Sequence, residues 1–286
     1  MRTLYLTDMD GTFLNDKGVV SEESKRIINE LSGKGLLFSV ATARSVISAS
    51  ELLKGIRITA PAVLQSGVVI YDYNNKTTVK YLSLSSKAFY SIIKIFEENN
   101  KAPFAFFFNK ENEDYRILFT DLKLEEHKQY YESRNKMHKG LVQKTDRYAI
   151  PEGYKPIFIS LCDEYDDLVI IKNELDKLSE VGYSFYKDTY TPYWFLEVFN
   201  KEASKANGLL TVKEYIKADK VVAFGDNYND FSLFDVAEEK YAVNNAVEAL
   251  KKAADGIILS NEENGVAEFL KKNFNITNSV DNEEVK

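Results

Sequence analysis

A rhythm of apolar strands and amphipathic helices runs at both ends of this chain and breaks in the middle, which constrains the fold more than any other feature. At the start, the strand Leu4 to Thr7 is followed by a helical pattern over about Ser21 to Lys34 and a second strand at Leu36 to Ala41. Strand, helix, strand in this order is the βαβ unit of a parallel sheet. Ser21 suits an N-cap with Glu22 and Glu23 in the first turn, Ile27, Ile28 and Leu31 supply the buried stripe, and Gly33 or Gly35 stops the helix. A second helix is expected over Val46 to Lys54, and Ala62 to Gln65 reads as a third core strand. From Ser204 the rhythm returns: a helix through Ile216, the strand Val221 to Phe224, a helix near Asn229 to Val236, and further strand and helix turns to about Lys272.

Between these stretches the pattern is different. Val68 to Tyr71 and Thr77 to Leu82 flank Asn74-Asn75-Lys76, a hairpin signal. A helix near Lys87 to Glu98 and strands at Phe104 to Phe108 and Asp114 to Thr120 precede a polar stretch reaching about Arg147. Pro156 to Leu161, a helix over Tyr165 to Ser179, and strands near Tyr183 to Tyr186 and Trp194 to Phe199 complete an α+β block. The expectation is one α/β core, residues 1–83 and 200–286, interrupted by an α+β lid at residues 84–199. The polar, acidic tail Asn273 to Lys286 is expected to be loose.

At 286 residues with 44% hydrophobic content, the chain has material for one large or two modest domains. A formal charge of -7 argues against general binding to nucleic acid or anionic membranes, which needs clustered Lys and Arg. Cys162 is the single cysteine, and His127 and His138 are the two histidines, too few soft ligands for a zinc site, so any metal should be a hard, oxygen-loving one. No basic-then-apolar leader opens the chain and no apolar run approaches a membrane span of about 18 residues. A cytoplasmic protein is expected, monomeric or weakly dimeric.

Chemistry is concentrated at the ends of the core strands. Asp8-Met9-Asp10-Gly11-Thr12 follows the first strand directly. The D-x-D alternation points both acids the same way off an extended backbone, and Gly11 allows a tight turn. One acid can attack phosphorus while the other handles the proton; an ordinary Asx turn is the plainer alternative. Val40-Ala41-Thr42-Ala43-Arg44 ends the second strand at the same carboxyl edge, where open α/β sheets bind ligands. There the Thr42 hydroxyl and the following N–H groups can hold phosphate oxygens, or Thr42 can simply cap the next helix. Lys205, next to Ser204 at a helix start, sits against the helix dipole, and something anionic should face it. Gly225-Asp226-Asn227-Tyr228-Asn229-Asp230 brings a second acidic strand end. If Asp8, Asp10, Asp226 and Asp230 converge, each pair of charges about 4 Å apart repels by roughly 4 kcal/mol at an effective dielectric near 20. Such a cluster needs a cation, and carboxylate and carbonyl oxygens without cysteine or histidine select Mg²⁺.

Taken in order, Asp8 to Thr12, Ala41 to Arg44, Ser204-Lys205 and Gly225 to Asp230 resemble the four motifs of the haloacid dehalogenase superfamily, in particular its Cof-type phosphatases, subclass IIB, with an α+β cap between the second and third motifs. The resemblance spans the chain. It implies a Rossmann-like core, an aspartyl-phosphate formed on Asp8, and Asp10 as acid and then base. It implies Mg²⁺ held by the Asp8 carboxylate, the Asp10 carbonyl and Asp226. Thr42, Ala43, Arg44, Lys205 and Asn229 would bind the phosphoryl group, with Asp230 orienting Lys205. The implied activity is phosphatase action on small phosphorylated metabolites such as sugar phosphates, flavin precursors or pyridoxal phosphate. A phosphomutase or phosphotransferase, or a phosphometabolite-binding protein without turnover, are the alternatives. Ala43, Ser66-Gly67 and Ala206 depart from the family's usual Gly, Asn-Gly and Gly, which bears on substrate choice. Cap aromatics such as Phe104, Phe106, Phe107, Phe108, Tyr186, Tyr190, Tyr193 and Trp194 are expected mostly to fill the cap's own core.

Overall fold

The computed structural model of the protein describes residues 1–137, 140–187 and 191–281, so His138 and Tyr190 lie outside the described residues. The chain divides into two compact units, Met1–Lys80 with Ser204–Lys286, and Tyr81–Ala203.

The first unit opens with strand β1 (Thr3–Thr7), helix α1 (Glu22–Gly33), β2 (Leu37–Val40) and α2 (Val46–Leu52). Ser21 caps α1 by accepting the Ser24 N–H at 3.0 Å, and Ser45 caps α2 in the same way from Ser48. Next come β3 (Ala62–Leu64), β4 (Val69–Asp72) and β5 (Thr77–Tyr81), a three-stranded sheet in that order. The Asp72 carboxylate accepts the N–H groups of Asn74 and Asn75 and closes the β4–β5 turn as an Asx turn. The expected third core strand is present as β3, which pairs antiparallel with β4 and meets the end of β2 through a parallel bridge, Ala41 to Val63. The short link from Leu64 to Val69 makes the local antiparallel pairing the cheaper one, since it needs no crossover.

The second unit comprises α3 (Ser86–Glu98), β6 (Phe104–Asn109), β7 (Asp114–Phe119), α4 (Glu125–Met137), β8 (Val142–Lys144), β9 (Lys155–Asp163), α5 (Tyr165–Leu175), β10 (Val181–Lys187) and β11 (Trp194–Asn200). Its six-stranded sheet runs β10-β11-β9-β6-β7-β8. One face packs on α3 and α5 through Phe89, Ile92, Phe96, Leu168 and Ile171 against Phe107, Ile159, Leu161, Leu196 and Val198. The stretch expected to be merely polar contains α4 and β8. Helix α4 has few apolar residues to give it a stripe, and it is fixed instead by Tyr130 on Phe104, Tyr131 on Phe119 and His127 Nε2 paired with the Cys162 carbonyl at 2.6 Å.

The chain then returns to the first unit through α6 (Lys205–Ile216), β12 (Lys220–Gly225), a 3-10 turn at Tyr228–Asp230, α7 (Phe231–Phe234), β13 (Glu239–Val243), α8 (Glu248–Ala253), β14 (Gly256–Ile258) and α9 (Gly265–Asp281). The main sheet is all parallel in the order β14-β13-β12-β1-β2. Leu4, Tyr5 and Leu6 are all buried although they alternate in direction, so helices cover both faces. The tail expected to be loose from Asn273 is helical to Asp281. Val266, Ala267, Leu270 and Phe274 keep one apolar stripe buried, which carries the helix past Asn273.

Candidate active site

Register sets the site. Thr7 lies between Val40 on β2 and Phe224 on β12, so the next residue on each strand, Asp8, Ala41 and Gly225, emerges side by side at the carboxyl edge. The Asp8 N–H still bonds the Phe224 carbonyl at 3.0 Å, while Gly11 turns the chain back at φ +77°. A side chain at Gly11 would run into the Asp226 carboxylate.

Three acids gather there. Asp8, Asp226 and Asp230 each offer a carboxylate oxygen within 4.8 Å of the others. Lys205, the first residue of α6, is buried and donates from Nζ to Asp8 Oδ1 at 2.5 Å and to Asp230 Oδ1 at 2.7 Å. Asp230 is fully enclosed, and its Oδ2 takes the N–H groups of Asp226 at 2.9 Å and Asn227 at 3.2 Å. With both oxygens engaged, Asp230 braces Lys205 and the strand end. Asp226 keeps more freedom: Oδ1 accepts the Thr12 hydroxyl at 2.8 Å.

Burial and the neighbouring carboxylates raise the cost of charging Asp8 and Asp226. Burial pushes Asp8 well above the usual carboxylate range; Lys205 pulls it back, and Asp230, Asp226 and Asp10 push it up again. Asp226 rises to about 6 through burial and then Asp230, against the Thr12 hydrogen bond. Lys205 is held above its ordinary value despite burial, because Asp230 and Asp8 stabilise its charge. Asp8 and Asp226 could hold a divalent cation, which would relieve the repulsion that one lysine leaves, and the all-oxygen donor set suits Mg²⁺.

Asp10 and Arg44 form a separate pair. Arg44 grips the Asp10 carboxylate with Nε at 2.8 Å and Nη2 at 2.6 Å, a two-point fork. Arg44 thus faces the second acid of the D-x-D motif. Thr42 is buried, and its Oγ1 accepts the Arg44 N–H at 3.1 Å. Asn229 is exposed on the 3-10 turn and makes no hydrogen bond to the acids among the described residues.

The sequence profile of the haloacid dehalogenase-like hydrolases matches residues 5–270. The chain belongs to the haloacid dehalogenase-like hydrolases. It is 26% identical over 278 residues to the 5-amino-6-(5-phospho-D-ribitylamino)uracil phosphatase YitU of Bacillus subtilis (strain 168), covering 96% of this chain and 98% of that one. To the phosphatase YwpJ of the same organism it is 24% identical over 301 residues, covering 94% of this chain and 98% of the other. A haloacid dehalogenase-like hydrolase from Bacteroides thetaiotaomicron shares the fold with a TM-score of 0.77 at 22% identity, over 95% of this chain and 99% of that chain. With phosphatases as its relatives, this hydrolase is an enzyme of the phosphoric monoester class.

Within this haloacid dehalogenase-like hydrolase, further contacts hold the site, and Asn245 is a residue that sequence reading did not single out. Asn245 Nδ2 donates to the Gly11 carbonyl at 2.7 Å, and its Oδ1 accepts the Asn261 N–H at 3.0 Å. The available signal was its position just beyond β13, at the same strand edge as Asp8 and Asp226. Asn227 and Asp230 form a capping box that shapes the turn. On the far side, Gln65, Ser66 and Gly67 follow one another with φ of 48°, 56° and 98°. Their N–H groups reach back to the motif, Gln65 to the Arg44 carbonyl and Ser66 to that of Thr42, both at 3.0 Å. Gly67 lies so close to the Ser204 backbone that no Cβ fits, which sets the strand-end loop against the start of α6.

Proposed function

We propose that this hydrolase is a Mg²⁺-dependent phosphatase of small phosphorylated metabolites. Asp8 attacks the phosphorus of the ester, and the bond to the leaving oxygen breaks as Asp10 gives that oxygen a proton. Asp10, now a carboxylate, then takes a proton from water, which attacks the aspartyl-phosphate, releasing phosphate and regenerating Asp8. The Asp8 and Asp226 carboxylates and the Asp10 carbonyl would hold Mg²⁺. When bound, the cation supplies positive charge that keeps Asp8 ionised and offsets charge on the phosphoryl oxygens. Lys205 and Thr42 bind the transferred group, with the Ala43 N–H beside them. Asp230 holds Lys205 and the strand end rather than the metal. Arg44, forked onto Asp10, keeps the acid and base aimed. The 5-amino-6-(5-phospho-D-ribitylamino)uracil accepted by relatives is the first substrate to try, and the second unit would set which ester is taken.

One observation carries this reading: a buried lysine pinned between two aspartates, 2.5 Å from Asp8 and 2.7 Å from Asp230, with a third acid alongside. Phosphoryl transfer needs this combination of placed nucleophile and concentrated positive charge more than any special chemistry. A screen of phosphorylated metabolites, read by free phosphate, should show release with Mg²⁺ and none after chelation. Asp8→Asn should lower turnover by at least about a thousandfold with the fold intact. A variant that keeps a near-native rate removes Asp8 as nucleophile.

A further inference from the structure

Gly11 gives the first motif its turn, and glycine has the freest backbone of any residue, so what holds Gly11 in place matters. The turn closes on one oxygen: the N–H groups of Thr12, Phe13 and Leu14 all reach the Met9 carbonyl, at 3.3, 3.0 and 2.8 Å. The longest of these bonds belongs to the Gly11–Thr12 peptide, whose other end is the Gly11 carbonyl. That carbonyl is held from outside the turn, by Asn245 Nδ2 at 2.7 Å.

Asn245 lies in the loop after β13, and the same loop takes hold of the other metal-site strand end. Two residues on, the Val247 N–H donates to the Asp226 carbonyl at 2.9 Å. One short loop therefore ties together the strand ends that carry Asp10 and Asp226, and it does so through their backbone. The peptide that Asn245 fixes also carries Thr12, whose hydroxyl meets Asp226 Oδ1 at 2.8 Å. Asn261 sets the amide's orientation: its N–H donates to Asn245 Oδ1 at 3.0 Å, which leaves Nδ2 facing Gly11. Asn261 is itself buried, and its Nδ2 donates to the Leu14 carbonyl at 3.1 Å and to Asp16 Oδ1 at 3.0 Å. The two asparagines grip the loop of the first motif at Gly11 and again at Leu14 and Asp16.

We propose that Asn245 is a positioning residue for the divalent cation. By fixing the Gly11 carbonyl it sets where the Asp10 carbonyl and the Thr12 hydroxyl stand, and with them how Asp226 is presented. This role rests on the magnesium reading above and adds to it a residue that touches neither cation nor substrate. Mg²⁺ demands near-octahedral geometry, so small displacements of its ligands are costly. Groups that orient metal ligands typically govern metal affinity by about 10–100-fold. Asn245 is exposed, and water can replace its bonds, so it contributes little to the stability of the fold. Metal affinity and fold stability should separate at this position.

The test is melting of the full chain in chelator and then at rising Mg²⁺ and constant ionic strength, since a cation bound to the folded chain raises the midpoint. Asn245→Ala should need about tenfold more Mg²⁺ for the same rise, while its melting in chelator falls no further than that of Asn29→Ala. Asn29 is the matched control: its Nδ2 donates to the Gly55 carbonyl at 2.8 Å and its Oδ1 accepts the Arg57 N–H at 2.7 Å, the same pair of bonds made to another loop. Asn29→Ala should keep the native Mg²⁺ response. Should Asn245→Ala not fold, Asn245→Ser, whose shorter side chain cannot span Gly11 and Asn261, carries the same expectations. A native Mg²⁺ response in either Asn245 variant, or an equal loss of response in Asn29→Ala, overturns the role. Asp226→Asn keeps the two readings apart, because it should abolish the native rise. If the native chain shows no rise, or Asp226→Asn retains it, the magnesium reading fails and the role of Asn245 falls with it. A rise that Asp226→Asn abolishes and Asn245→Ala keeps removes Asn245 alone.

Discussion

At the scale of single residues, the site is a problem of excess negative charge that geometry solves in parts. Lys205 bonds Asp8 and Asp230 and offsets one of their two charges, Arg44 takes Asp10, and Asp226 accepts the Thr12 hydroxyl. The Arg44 fork has a kinetic consequence. Arg44→Ala should lower kcat by about tenfold with little change in KM, because the acid loses its aim while the phosphate keeps its ligands. A rise in KM with kcat intact would return Arg44 to the phosphate group. Gly11 is the other decisive residue: at φ +77° with Asp226 against it, Gly11→Ala adds backbone strain of about 1–2 kcal/mol and displaces a carboxylate. Denaturant melts should show the lost stability, and Mg²⁺ titration a weakened site.

At the scale of elements, strand ends and helix starts do the placing. Lys205 opens α6 behind the Ser204 cap, where the helix dipole opposes a positive charge, and two buried aspartates outweigh that opposition. Removing the lysine leaves two buried carboxylates unpaired. Lys205→Met should therefore cost about 3 kcal/mol in chelator, with part of the loss recovered on adding Mg²⁺, as differential calorimetry would show. No loss would mean that the acids are already neutral without it. Three of the four motifs were legible because Asp8, Thr42 and Asp226 stood at the ends of apolar runs, and the fourth because Lys205 stood behind Ser204 at the start of a helical pattern. Helix α4 was not, because its hold is an aromatic and histidine contact to β6, β7 and Cys162, invisible to a search for apolar periodicity. The place of β3 was equally hidden: an apolar run of three does not say which neighbour it pairs with.

At the scale of the whole molecule, buried acids tie stability to pH, Glu197 in the second unit beside Asp8 and Asp226 in the first. Glu197 is raised in the fold to about 7 from an ordinary value of 4.5, so the folded chain binds its proton more tightly than the unfolded chain. The stability it contributes is full below pH 4.5 and is lost as pH rises through about 7, on the order of 3 kcal/mol in all. Melting followed between pH 5 and 8 should show this decline in the native chain and a smaller one in Glu197→Gln; equal slopes would remove Glu197 as the cause.

What the sequence alone determined was local: which residues end strands, which cap helices, and that acids, a lysine and a threonine stand at sheet edges in a set order, because side-chain period and turn chemistry act over a few residues. Among the described residues, no helix is long and apolar enough to cross a membrane. Only the tertiary structure decided which of those residues meet. Asp8 and Lys205 are 197 positions apart and touch because β1 pairs with β12 and α6 starts beside them. Arg44 went to Asp10, Asn245 to Gly11, and Glu197 into a row with Ser160 and Ser184, through strand register that no short stretch of chain encodes. Contacts of this range depend on loop closure and sheet order, which are settled by the summed burial of the whole core.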